Sequence, residues 1–196
     1  MVGASARTTN RSVHDRHACR PRPGGPEGDG EGAGVRLEFR RTYPDPIEEV
    51  WAAVTESDRS ARWIGTWTGR RGVGSTVEFT MTGEDGAGPE PVQILECEPP
   101  RRLVVDWSVP GQPRWRVEVT LSPEGIDENT GGTGENTGEN TGTSLLFVHR
   151  LASAGDVTDV AAGWHYYLDR LAAALADRPG PECDDVVAGL TELYAR

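Results

Sequence analysis

The chain has 196 residues, with 31 acidic side chains against 20 basic ones and a net charge of −11. That balance opposes a nucleic-acid backbone, where affinity comes from Lys and Arg displacing counterions, and it opposes an anionic membrane surface for the same reason. Three cysteines, Cys19, Cys97 and Cys183, stand far apart with no CxxC pair, which argues against a disulfide framework or a zinc site and fits a reducing cytoplasm.

Residues 1–34 are rich in Arg, Gly and Pro, with Pro21-Arg22-Pro23-Gly24-Gly25-Pro26 at their centre, and have almost nothing apolar to bury. They read as a disordered tail. The arginines Arg7, Arg11, Arg16, Arg20 and Arg22 are not followed by the apolar run of a signal peptide, and no stretch approaches membrane-spanning length. His14, His17 and Cys19 make an incomplete metal set in such a segment, so no metal or other cofactor is expected.

From Val35 to Tyr43, apolar and charged residues alternate with the period of a strand that has one dry face. Asp45-Pro46-Ile47-Glu48 then predicts a helix start, with Asp45 as N-cap and Pro46 in the first turn. Ile47, Val50, Trp51 and Val54 form its apolar face. Ser57-Asp58 predicts the cap of a second short helix through Trp63, after which Gly65 and Gly69 break the pattern.

A meander follows. Val77, Phe79 and Met81 alternate with polar neighbours, Gly83 to Gly86 turn the chain, and Val92 to Glu98 and Arg102 to Ser108 are strands joined through Pro99-Pro100. Trp115, Val117, Val119 and Leu121 alternate in the same way, as does Thr143 to His149. Between them, residues 123–142 form an acidic low-complexity loop in which Glu-Asn-Thr-Gly recurs at Glu128, Glu135 and Glu139. A hairpin loop lengthens at small entropic cost, so the fold can tolerate such an insert.

Asp156 and Asp159 place negative charge at the start of a long helix, and Val157, Val160, Ala161, Trp164, Leu168, Leu171 and Leu175 recur along one stripe of it. Asp159, Asp169, Arg170 and Asp177 are expected in water, and Pro179-Gly180 ends the helix. Roughly twenty residues at ~1.5 Å each span about 30 Å, enough to cross a whole sheet. Residues 179–196 read as an extension with a short helix built on Val186, Val187, Leu190 and Leu193, for packing or for a homodimer contact.

The element order is one strand, two short helices, about six meandering strands and a long helix, which is an α+β class and resembles the helix-grip fold of the START-like (SRPBCC) superfamily. Within it, three segments carry a closer resemblance: Tyr43-Pro44-Asp45-Pro46-Ile47-Glu48-Glu49-Val50-Trp51, Glu98-Pro99-Pro100-Arg101-Arg102-Leu103-Val104-Val105-Asp106-Trp107, and Gly163-Trp164 followed by Leu168 and Leu171. They are similar to the bacterial homologues of the activator of heat-shock protein 90 ATPase, over about Val35 to Ala176. The resemblance implies one domain over residues 35–178, a curved antiparallel sheet of six or seven strands gripping the long helix, and no shared catalytic set.

If Leu37 and Phe39 face inward, strand parity sends Arg41 and Tyr43 inward too, and Leu145 and Phe147 carry His149 with them. Arg41 is then a candidate anchor for a ligand carboxylate, or equally a side chain in water at the sheet's end, and His149 a candidate hydrogen-bonding or proton-transferring group, or a structural histidine tied to the helix. Trp67, Phe79, Met81, Trp107, Trp115, Phe147, Trp164, Tyr167 and Leu168 complete the candidate cavity lining. Gly72-Val73-Gly74-Ser75 enters a strand and lacks the helix N-terminus of a phosphate loop, so it reads as a turn. The expected partner is a small apolar or amphipathic molecule, with neither nucleic acid nor membrane. Two other functions stay open: cyclase- or hydrolase-like chemistry on polyketide-type substrates, which needs Arg41, His149 and a Tyr or Asp to converge, and interaction with a chaperone or regulator through an exposed apolar patch.

Overall fold

The computed structural model describes residues 35–82, 88–107, 115–124, 142–151, 157–182 and 189–190. The tail, the turn at 83–86, most of the acidic loop, Asp156 and most of the C-terminal extension lie outside these residues. Seven strands form one antiparallel sheet: β1 (Val35–Tyr43), β2 (Gly65–Gly69), β3 (Thr76–Met81), β4 (Glu90–Glu98), β5 (Arg102–Trp107), β6 (Trp115–Pro123) and β7 (Thr143–Leu151). Their spatial order is β1-β7-β6-β5-β4-β3-β2, so the first strand pairs with the last and the two short helices carry the chain to the opposite edge. These helices are α1 (Ile47–Thr55) and α2 (Ser57–Ser60), and the long helix α3 runs over Val157–Leu175. The sheet curves around α3, which makes this an α+β helix-grip fold, as the element order implied.

Parity along each strand decides what the sheet encloses. On β1 and β7, Phe39 pairs with Phe147, and Val119 of β6 pairs with Phe147 from the other side. All three are buried and belong to one core with Leu121, Leu145, Trp164, Tyr167, Leu168 and Leu171. The outer face carries charge instead. There Arg102 reaches Glu96 at 2.6 Å, and Glu118 accepts from Arg150 at 2.8 Å. Burial alone would raise the Glu118 carboxyl, but the hydrogen bonds and charges of Arg150 and Arg102 hold it below the usual carboxylate range. The aliphatic stems of such arginines can cover the buried Val104 and Val148 on this face.

Three local expectations change. Pro46, not Asp45, occupies the N-cap of α1, with no side-chain cap bond, and the Asp45 carbonyl accepts from Thr143 Oγ1 at 2.7 Å. Glu56 is the N-cap of α2, while the Ser57 hydroxyl donates to the Trp67 carbonyl and accepts from the Trp67 amide, both at 2.8 Å. Ser57 therefore ties helix to sheet rather than capping a helix. Gly65 and Gly69 do not simply break a pattern; they bound β2, an edge strand anchored by that same serine.

Helix α3 buries more than one stripe. Ala162, Gly163, Tyr166 and Ala173 are buried beside the expected residues, while Arg170, expected in water, is half-buried with its guanidinium over the Tyr166 ring and bonded to the Tyr166 hydroxyl at 2.8 Å. The helix ends before Pro179 in a Schellman arrangement: Asp177 takes φ 50°, its amide donates to the Ala174 carbonyl, and the Arg178 amide donates to Ala173 at 2.8 Å. Asp177 then pairs with Arg62 at 2.6 Å, fastening the helix end to the segment after α2. Among the described residues, no helix is long and apolar enough to cross a membrane.

Candidate functional site

Where α3 stops covering the sheet, a cavity of about 290 Å³ remains. Its floor is the inner face of β3, β4 and β5, with Val77, Phe79, Val92, Ile94, Leu103, Val105 and Trp107; Val117, Val119 and Phe147 border the filled core. Trp51, Val54 and Thr55 of α1, with Trp63 and Ile64, form the roof, and Trp164 is the single residue of α3 that reaches it. Trp67, Arg71 and Gly72 stand where β2 turns toward β3. The volume sits at the lower end of the ~300–1,000 Å³ usual for small-molecule sites.

Of the residues expected to line a cavity, Trp67, Phe79, Trp107, Phe147 and Trp164 do so. Phe79 and Trp107 meet edge to face with centroids 4.7 Å apart, and Trp107 Nε1 donates to Glu90 at 3.0 Å, which fixes the ring. Met81, Tyr167 and Leu168 are buried in the core cluster instead. Trp115 lies against the His149 ring at 4.8 Å.

Arg41 and His149 also lie outside this lining. The Arg41 guanidinium sits over Phe39, bonds to the Arg40 carbonyl at 3.2 Å and faces Asp169 at 3.6 Å, on the β1 side of α3. His165 meets the other oxygen of Asp169 at 3.5 Å; burial lowers its pKa, against the pull of Asp169 and with the push of Arg41. Tyr43 nearby is buried, its hydroxyl has no hydrogen-bond partner among the described residues, and burial pushes its pKa well above the usual phenol range. His149 is fully buried and its Nδ1 accepts from Trp164 Nε1 at 2.9 Å. An indole N–H can only donate, so the imidazole proton resides on Nε2, and burial lowers the pKa to about 4. This histidine orients Trp164 and thereby one wall of the cavity.

Several lining residues escaped the alternation argument. A register shift between Ile94 and Glu96 inserts an extra residue into β4, so Val92 and Ile94 face inward before it and Cys97 after it, while Glu96 turns out toward Arg102. Simple parity would have placed Glu96 inside. Trp51 and Val54 were legible as an apolar helix face but not as a roof. Arg71 carried a weak signal, being the residue before the turn Gly72-Val73-Gly74-Ser75. Among the described residues, no three His, Cys, Asp or Glu side chains gather as a metal site.

Comparison with known proteins agrees with this geometry. Residues 45–176 match the family described as Activator of Hsp90 ATPase homolog 1-like protein. CalU16 from Micromonospora echinospora is 29% identical, with a TM-score of 0.61 over 83% of this chain and 87% of that one. A protein encoded by gene BPP1335 from Bordetella parapertussis is 26% identical, with a TM-score of 0.63 over 89% of this chain and 91% of that one. DynU16, from the dynemicin biosynthetic locus, is 27% identical with a TM-score of 0.56 over 74% of this chain and 48% of that one. No curated protein matches the sequence.

Proposed function

We propose that this chain, which belongs to the Activator of Hsp90 ATPase homolog 1-like family, binds a small apolar or amphipathic molecule in the cavity between its sheet, α1 and Trp164. The observation that carries this reading is a 290 Å³ space whose described lining side chains are apolar or aromatic except for Thr55, Arg71 and Cys97. The Thr55 hydroxyl already donates to the Trp51 carbonyl at 2.8 Å, so the interior offers few unspent polar groups. Similarity to a protein from a biosynthetic locus, DynU16, fits a role beside small-molecule chemistry. The action proposed is binding in the cytoplasm.

The cyclase- or hydrolase-like alternative has less support: Arg41 and His149 sit on separate sides of the packed core, one with Asp169 and the other with Trp164. The interaction reading has less too, since Val73 is the exposed large hydrophobic residue among those described. A thermal-unfolding screen of apolar and amphipathic small molecules, run on the wild type and on Val105→Phe, tests the proposal. A bound ligand at 100 times its Kd stabilises by about 2.7 kcal/mol. The expectation is stabilisation of the wild type that Val105→Phe loses; no stabilisation by any compound, or equal stabilisation of both proteins, overturns it.

A further inference from the structure

Arg71 is the only Arg, Lys, His, Asp or Glu among the described lining residues, and it is exposed at the mouth rather than on the floor. Its guanidinium lies over the Trp67 ring at 5.0 Å, a cation–π contact that holds the charge at the rim. The turn behind it is pinned to β4: the Gly74 amide donates to the Ile94 carbonyl at 2.8 Å, and the Ile94 amide donates to the Ser75 carbonyl at 2.9 Å. Gly72 at φ 137° and Gly74 at φ 83° let the chain make that turn.

Its electrostatic setting differs from that of most described arginines. Arg41, Arg59, Arg62, Arg102, Arg116 and Arg150 each face a carboxylate, whereas Arg71 makes no ion pair with a described residue. Arg70, which precedes it, is exposed as well. On a protein of net charge −11, the general field attracts cations, yet the mouth presents a cation and the described lining presents no carboxylate. A cationic head would meet repulsion there with no partner. An anionic head would find a planar donor fork whose five N–H groups are not spent on a described carboxylate.

We propose that the cavity's ligand is an amphipathic monoanion, a carboxylate being the simplest case, with its apolar body on Phe79, Leu103, Val105 and Trp107 and its head on the Arg71 guanidinium. This rests on the cavity-binding reading above and adds the charge and the orientation. The role first expected of Arg41 thus falls to an arginine at the opposite edge of the sheet.

The test is calorimetric titration with decanoate and decan-1-ol, which share a chain and differ in the head, against the wild type, Arg71→Gln, Arg71→Lys and Val105→Phe. Arg71 is exposed, and thermal unfolding of each variant verifies that it is folded. The wild type is expected to favour decanoate over decan-1-ol roughly fivefold, the order of magnitude of a solvent-facing charge pair. Arg71→Gln should bring the decanoate-to-decan-1-ol affinity ratio to about one, Arg71→Lys should keep part of the preference, and Val105→Phe should weaken both probes. If the wild type binds both probes and Arg71→Gln leaves their ratio unchanged, the anion assignment falls while the cavity reading stands. If the wild type binds neither, both fall.

Discussion

The inner face of the sheet divides into two halves that the sequence writes in the same alternating pattern. Across β1, β7 and β6, the inward residues Phe39, Leu145, Phe147, Val119 and Leu121 are at most 6% exposed, because Trp164, Tyr167, Leu168 and Leu171 of α3 form a second layer over them. Across β5 to β2, Leu103, Val105, Trp107, Phe79 and Trp67 also point inward but remain half-buried, because what faces them is the cavity. The difference is not hydrophobicity. It is whether another element supplies atoms within contact distance, and α3 is positioned so that only Trp164 reaches the boundary. Dispersion contacts accumulate in the first half, while the second keeps apolar surface available for a guest.

The largest break in this comparison comes from removing a side chain in the filled half. Leu171 is 0% exposed within the α3 core layer, so Leu171→Ala should cost about 3–5 kcal/mol, measured as a shift in the urea midpoint at unchanged slope. A loss below about 1 kcal/mol would show that α3 is loosely seated and that the two halves are not energetically distinct.

Acid should also act on the filled half. His149 has its pKa lowered to about 4 by burial, against an ordinary value near 6.5, so the unfolded chain binds more protons between those two values. Stability is therefore complete above about pH 6.5 and declines as pH falls toward 4, by on the order of 3 kcal/mol from this group. His165, also lowered by burial first, acts in the same direction. His149→Gln keeps an acceptor for Trp164 Nε1 and removes the titration, so its urea midpoint should fall less between pH 7 and pH 4.5 than that of the wild type.

The sequence made the first half more legible than the second for a physical reason. Period two identifies inward residues, and the stripe on α3 identifies a helix to lie on them, so Phe39, Phe147, Trp164 and Leu168 could be assigned to one interior before any coordinates. Which strands the helix leaves uncovered depends on where it is fastened, here by Asp177 with Arg62 just past its C-terminus and by Trp164 with His149 within it, and such long-range pairs have no local signature. The β4 bulge is a second loss, since one extra residue reverses parity and exchanges Glu96 for Cys97. Arg41 was assigned inward by sound parity, but half-buried at the β1 end it meets Asp169 of α3 rather than open space.

A smaller effect separates floor from guest space. A methyl group added at Gly65 would collide with the backbone carbonyl of Thr80 on the paired strand β3 and come within 2.6 Å of the Phe79 ring, so both the strand pairing and the ring that lines the cavity would have to shift. Gly65→Ala should cost about 1–3 kcal/mol through overpacking. It should also reduce binding of any cavity ligand, which titration against the wild type detects. Retained stability together with retained binding would mean that the ring has room to move and that the cavity wall is softer than the strand pairing implies.

The smallest change is the matched counterpart of the first. Leu103 is inward-facing on β5 and lines the cavity, so Leu103→Ala deletes the same atoms as Leu171→Ala but from a side chain that already borders unfilled space. Fewer neighbours lose contacts, and the void left behind merges with one that exists, so the cost should be about 1 kcal/mol. The ratio between the two leucines, measured under one set of conditions, reads the second layer directly: same chemistry, same inner surface, different cover. If Leu103→Ala proved as costly as Leu171→Ala, the half-buried face would be packed in solution, and the space assigned to a ligand would not be there to receive one. If it is mild and the enlarged cavity accepts a longer carboxylate than the wild type does, the same substitution that tests the packing also measures the room.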